Sequence, residues 1–215
     1  MGVAERKERE KIQRKNAIVD AAEKIFFKEG IENTSMDQVA QEAELSKGTL
    51  YLYFKSKEEL YKAVVIRGFI ALKRTLKEAI LVQETGLENV RAISRAYIDF
   101  SKKQAGYFDA ILYFQNDHFN AKETNEQALG SLEGGNAVIQ VLVNALKKGI
   151  EDHSIQSHVK PVEVAFVLWS QLTGLLQVIQ RKMKIITFYY KIKPDDLLQN
   201  YFNLLTQSLS NPSPL

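Results

Sequence analysis

Cysteine is absent from all 215 residues, which excludes disulfides, thiolate metal sites and thiol nucleophiles and fits a reducing compartment. Proline (4) and glycine (11) are scarce, so linker-like or low-complexity stretches are excluded and disorder is expected only at the ends. Strand-like alternation and internal repeats are missing as well. The N-terminus "MGVAERKEREKIQRK" is charged throughout, and no apolar run downstream approaches the ~18 residues of a membrane span. The expectation is a soluble, cytoplasmic protein with no membrane partner. Catalytic signatures are equally lacking. His118, His153 and His158 are scattered, and the last two, five apart, fall on different helix faces, unlike a zinc pair. There is no GxSxG, P-loop or dinucleotide fingerprint, so no enzyme, metal or cofactor is expected.

What remains is helical periodicity. Ile18, Ala21, Ala22, Ile25 and Phe26 recur at three- and four-residue steps before Gly30, predicting a first helix over roughly 9–29. Ser35 opens "SMDQ", a capping box, ahead of a short second helix carrying Val39, Ala40 and Ala43. After a turn at Glu44 and Leu45, Ser46 caps a third helix to about Phe54, and "SKEE" at 56–59 opens a fourth. Further on, Asn89, Ile93, Ala96, Tyr97 and Phe100 form one stripe and Val138, Val141, Leu142, Ala145 and Leu146 another. Pro161 and Pro194 open the last two long helices. Gly134 and Gly135 imply a helix start, a kink or a close backbone approach. The fold class is all-α: a helix-turn-helix domain at residues 1–60, joined through the fourth helix to a larger helical bundle at 61–215.

Short helices two and three joined by a tight turn have helix-turn-helix proportions, in which the second member lies in a DNA major groove. Lys47, Gly48 and Thr49 occupy its first turn, where backbone N–H groups favour phosphate. Leu50 and Phe54, four apart, point inward. Tyr51 and Tyr53 lie off that direction, so their hydroxyls can reach DNA. Lys57 can place its ammonium on the sugar-phosphate backbone.

The stretch from Gly30 through "TSMDQVAQEAELSKGTLYLYFKSKEELYKAV" resembles the N-terminal DNA-binding domain of the TetR family of transcriptional regulators, over roughly residues 12–64 without a gap. The resemblance implies that Ser35 caps its helix beside the DNA backbone. It places Lys47, Gly48, Thr49 and Tyr51 close to the bases and Tyr53 and Lys57 on phosphates, with Ser46 also among the DNA-binding residues. Two positions depart from the family pattern. Glu44 stands where the turn usually has Gly, at a cost of about 1 kcal/mol if its φ is positive. Leu52 stands where many members carry a phosphate-touching side chain; a thymine methyl contact or none is expected.

A regulator that binds a palindromic double-stranded DNA operator as a homodimer and is released by a small-molecule effector is expected, and a repressor rather than an activator, since occluding a promoter needs no polymerase contact. Leu168, Leu172, Leu175 and Ile179, with Leu198, Tyr201 and Leu205, are the candidate dimer seam; the alternative is ordinary intrachain core. Tyr97, Phe100, Tyr113, Phe114, His118 and Trp169 supply aromatic rings with polar handles for a partly apolar or aromatic effector. The basic cluster Arg181, Lys182, Lys184, Lys191 and Lys193 reads as a solvated loop. A transcriptional activator, or a helical binding module with an impaired DNA head, stands as the alternative.

Overall fold

The computed structural model describes residues 2–116 and 126–211. Helix α1, Val3–Glu29, starts earlier than the apolar pattern predicts, because its charged N-terminal turns support each other at four-residue spacing, as in the Arg6–Glu10 pair at 2.8 Å. It stops at Gly30, whose φ of 80° suits a residue without Cβ and whose N–H closes onto the Phe26 carbonyl at 2.9 Å. Then follow α2 Met36–Glu42, α3 Lys47–Tyr53, α4 Lys57–Glu78, α5 Gly86–Lys103, α6 Ala105–Asn116, α7 Glu126–Glu151, α8 Pro161–Tyr190 and α9 Pro194–Leu209. Among the described residues the one strand-like feature is an isolated antiparallel bridge between Ile155 and Ser210.

Two compact units divide the chain, and they do not follow chain order. The first takes α1 to α3, α4 up to Ala71, α6, and α7 up to Gly135; the second takes the remainder of α4 and α7 with α5, α8 and α9. In the first unit Ile18, Ala22, Val39, Leu50, Phe54, Leu60 and Val64 are buried together. Phe26 meets Tyr61 edge-on at 5.5 Å, and the Tyr61 hydroxyl donates to the Ala110 carbonyl at 2.9 Å, fixing α6 to the head. Gly134 lies inside α7, where a Cβ would stand 3.0 Å from that of Phe69, so of the three roles expected for the glycine pair the close approach applies.

The second unit buries Val90, Ile93, Phe100, Leu146, Ile155 and Ala165. Asn89, the polar member of the α5 stripe, is buried with its amide satisfied by the N–H and carbonyl of Leu81 at 2.9 and 3.0 Å. At the start of α5 a Cβ on Gly86 would fall 2.0 Å from the Gly149 nitrogen, so glycine is required there by α7's backbone.

Two expectations about α8 need correction. The helix continues to Tyr190, so Arg181, Lys182 and Lys184 are helical rather than in a loop. It is also long and apolar enough, by length and composition, to cross a membrane. Ser170, Gln171, Thr173 and Gln177 interrupt the apolar letters, so no continuous run stands out although the average over the window is high. A helix with one face in its own core and apolar residues on the other has the same length and composition.

Candidate nucleic-acid interface

The turn between α2 and α3 is a Schellman motif. Leu45 N–H bonds the Ala40 carbonyl at 2.8 Å and Glu44 N–H bonds that of Gln41 at 3.1 Å, which forces the intervening residue into the left-handed region. That residue is Glu44, with φ 54°, so the strain expected of a non-glycine residue here is present.

Both caps form as their residue types dictate. Ser35 Oγ accepts from Gln38 N at 3.3 Å while Gln38 Oε1 accepts from Ser35 N at 2.7 Å. Ser46 Oγ accepts from Thr49 N at 3.1 Å and shares a proton with the Thr49 hydroxyl at 2.8 Å. The α4 box is half made: Ser56 Oγ accepts from Glu59 N at 3.2 Å, but the Glu59 carboxylate reaches Lys55 N instead, at 2.6 Å.

Leu50 of α3 and Phe54, which caps its C-terminus, are 0% exposed and fasten the helix to the unit. Tyr51 is 37% exposed and Leu52 75%, with Tyr53 half-buried, so the outward face is aromatic and aliphatic. A Cβ on Gly48 would meet only Ser46 Oγ at 3.9 Å; nothing within the chain demands glycine there. Lys47 pairs with Asp37 at 2.7 Å, and this hydrogen-bonded carboxylate raises the lysine's pKa. The pair is solvent-exposed and therefore weak and exchangeable.

Lys57, expected on the DNA backbone, is engaged within the chain. Its ammonium donates to the carbonyls of Ile31 at 2.8 Å, Thr34 at 2.9 Å and Glu32 at 3.4 Å, so all three of its protons hold the α1–α2 loop. Sequence spacing could not show this, because the acceptors are backbone atoms some 25 residues away.

Behind the head, three helices of the first unit share one polar junction. Arg67 on α4 donates to Asp20 and Glu23 of α1, the latter at 3.1 Å, and the Tyr107 hydroxyl of α6 donates to Glu23 at 2.9 Å. Burial, reinforced by the Glu23 carboxylate, pushes the Tyr107 pKa up to about 12.

Of the residues expected at an effector pocket, Tyr97 and Trp169 come together on a cavity of about 30 Å³ in the second unit. Phe100 is buried in that unit without lining the cavity. Tyr113 and Phe114 belong to the first unit, where Tyr113 borders a separate cavity beside Phe27 and Gly106. His118 lies outside the described residues. Of the dimer seam, Leu168, Leu172, Tyr201 and Leu205 are buried in their own unit, and Leu175, Ile179 and Leu198 are half-buried. The exposed apolar residues on α8 and α9 are instead Val162, Phe166, Val167, Ile185, Phe188, Tyr189, Tyr190 and Leu204. Period alone gives the helix faces but not which of them the chain covers itself.

Residues 18–64 match the family model for bacterial regulatory proteins of the tetR family. An uncharacterized HTH-type transcriptional regulator of Bacillus subtilis, YhgD, is 29% identical over 168 residues, covering 77% of this chain and 83% of that protein. The HTH-type transcriptional activator FasR of Mycolicibacterium smegmatis is 29% identical over 142 residues, 66% of this chain and 63% of its own. The crystal structure of AibR in complex with isovaleryl coenzyme A and operator DNA shares the fold, with a TM-score of 0.61 at 20% identity over 90% of this chain and 98% of that one. With a capped helix-turn-helix at the matched residues, the chain carries an N-terminal DNA-binding domain of the tetR type and is similar over most of its length to HTH-type transcriptional regulators.

Proposed function

We propose that this regulator binds a palindromic operator as a homodimer, represses by occluding the promoter and is released by a small-molecule effector. The observation that carries the DNA-reading part is the division of α3 into a fully buried anchor, Leu50 and Phe54, and an outward face of Tyr51 and Leu52. In this reading residues 1–60 are the DNA-binding domain. Gly48, Thr49 and Tyr51 approach base edges, Leu52 meets a thymine methyl group, and Ser35, Ser46, Lys47 and Tyr53 contact the backbone. Lys57 positions the loop beside Ser35 rather than binding phosphate.

Residues 61–215 serve effector binding and dimerisation. One short helix reads only a few base pairs, so two heads on a twofold axis are needed. The exposed apolar face of α8 and α9, including Phe166, Val167 and Leu204, is the surface we assign to the second copy. Effector binding acts through α4: Leu76 of this helix lines the cavity, and Arg67 of the same helix holds α1. A displacement of α4 therefore reorients the head, and the effector's differential affinity for the two arrangements sets the coupling, commonly 1–3 kcal/mol. The operator being genomic DNA, the protein acts in the cytoplasm. FasR, an activator among the relatives, supports activation as the second reading.

Fluorescence anisotropy with DNA from upstream of the protein's own gene tests this. Tight, salt-sensitive, sequence-selective binding is expected; no binding at low salt would leave a helical module whose head does not read DNA.

A further inference from the structure

The cavity of the second unit is walled by α5, α7 and α8 with Leu76 of α4 and Tyr201 of α9. Its walls are aliphatic apart from Ser94, Tyr97, Trp169 and Tyr201, and among the described residues no charged side chain lines it. Two of the three hydroxyls are engaged. The Tyr97 hydroxyl is hydrogen-bonded to Thr173 Oγ1 at 3.0 Å. Ser94 Oγ donates to the Val90 carbonyl at 2.9 Å.

Tyr201 is the exception. It is 8% exposed, and its hydroxyl has no hydrogen-bond partner among the described residues. Ser94 is its polar neighbour, but the Ser94 proton goes to the Val90 carbonyl and the Tyr201 hydroxyl is left without a bond of good geometry. A buried hydroxyl left in this state costs free energy that any ligand able to accept or donate one hydrogen bond recovers. A charged group placed here would be desolvated without a counter-ion. The guanidinium one turn away on α5, Arg91, does not line the cavity; it donates to Thr206 at 3.1 Å and faces Glu88 at 3.8 Å.

We propose, resting on the effector reading above, that this cavity takes an uncharged, largely aliphatic molecule carrying one hydroxyl or carbonyl group, which is received by Tyr201. At about 30 Å³ the cavity has room for little more than water, so the described conformation is closed. A small-molecule site is roughly 300 Å³ or more. Opening it separates aliphatic side chains, and an aliphatic ligand restores their contacts without introducing a new polar demand.

Trp169 is the single tryptophan of the chain and lines the cavity, so intrinsic fluorescence reports occupancy directly. The full-length protein is titrated below micellar concentrations with 1-decanol, decanoate and decylamine, as wild type and as Tyr201→Phe. Saturable change with 1-decanol is expected, with both charged analogues at least tenfold weaker by the cost of burying an unpaired charge. Tyr201→Phe should weaken 1-decanol about fivefold, the loss of one hydrogen bond. This variant removes an unpaired hydroxyl without changing the ring, so it should fold, and circular dichroism checks that it does. Decanoate or decylamine binding tighter than 1-decanol would overturn the ligand class while leaving the pocket standing. Equal affinity of wild type and Tyr201→Phe would overturn Tyr201 as the receiving group. No saturable response to any of the three would remove both the proposal and the cavity as an effector site.

Discussion

The Lys57 ammonium donates to the Ile31 carbonyl at 2.8 Å, tying the first turn of α4 to the loop that follows α1. A surface lysine of a DNA-binding head thereby acts as an internal clamp, because its alkyl stem is half-buried and three carbonyls face its nitrogen. Lysines 47 and 57, ten residues apart, are set different tasks by their acceptors.

Lys57→Ala should therefore lower stability by about 2 kcal/mol in urea unfolding, as for a lost charge-assisted hydrogen bond. It should weaken binding to all DNA sequences through a loosened α1–α2 loop while leaving the salt slope unchanged. Lys47→Ala should leave stability nearly unaltered and reduce the slope by about 1, since its ammonium exchanges an exposed carboxylate for phosphate. The reverse pattern would put Lys57 on the DNA.

Glu44→Gly should stabilise the protein by about 1 kcal/mol, because the Schellman turn requires a left-handed residue and Glu adopts that region at a cost Gly does not have. Thermal unfolding of the two proteins checks this. A less stable glycine variant would mean that the Glu44 side chain makes a compensating contribution.

In the second unit, burial works against the Asp152 carboxylate. Hydrogen bonds from Ser154 and from the Gly86 N–H at 2.7 Å outweigh it and, with Lys148 nearby, hold its pKa below the ordinary aspartate value. A lowered folded-state value gives stability that is present above the unfolded pKa of about 3.9 and is lost as pH falls through the lower value. The Asp152→Asn variant should be less stable than wild type at pH 7, by under about 1 kcal/mol at so exposed a site. The difference should shrink below about pH 4; urea midpoints at both pH values measure it, and a constant difference would contradict the assignment.

Local chemistry was legible in the sequence where it is local in cause. The Ser35 and Ser46 caps, the stop at Gly30 and the strained turn at Glu44 all follow from residues within five positions of each other. The structure adds what depends on distant chain. Lys57 finds its carbonyls across the α1–α2 connection, and Gly86 owes its identity to the backbone of Gly149. The seam of Leu168 and Leu172 was visible as a stripe, but its partner is the chain's own core. The outward apolar residues Phe166 and Val167, one step round the helix, carry the surface assigned to a second copy. Within the expected effector set, Tyr97 and Trp169 meet on one cavity because α5 and α8 pack together, whereas Tyr113 goes with α6 into the other unit.

In the proposed function α3, presented twice on a twofold axis, reads DNA through Tyr51 and Leu52. Selection of bound sequences from random duplex DNA, followed by sequencing, tests it most directly. Enrichment of an inverted repeat with half-site centres about 34 Å apart, or a multiple of that, is predicted, with preference at the contacted half-site positions relaxed by Tyr51→Ala. Recovery of unenriched DNA, or of a single unrepeated motif unaffected by that substitution, would contradict it.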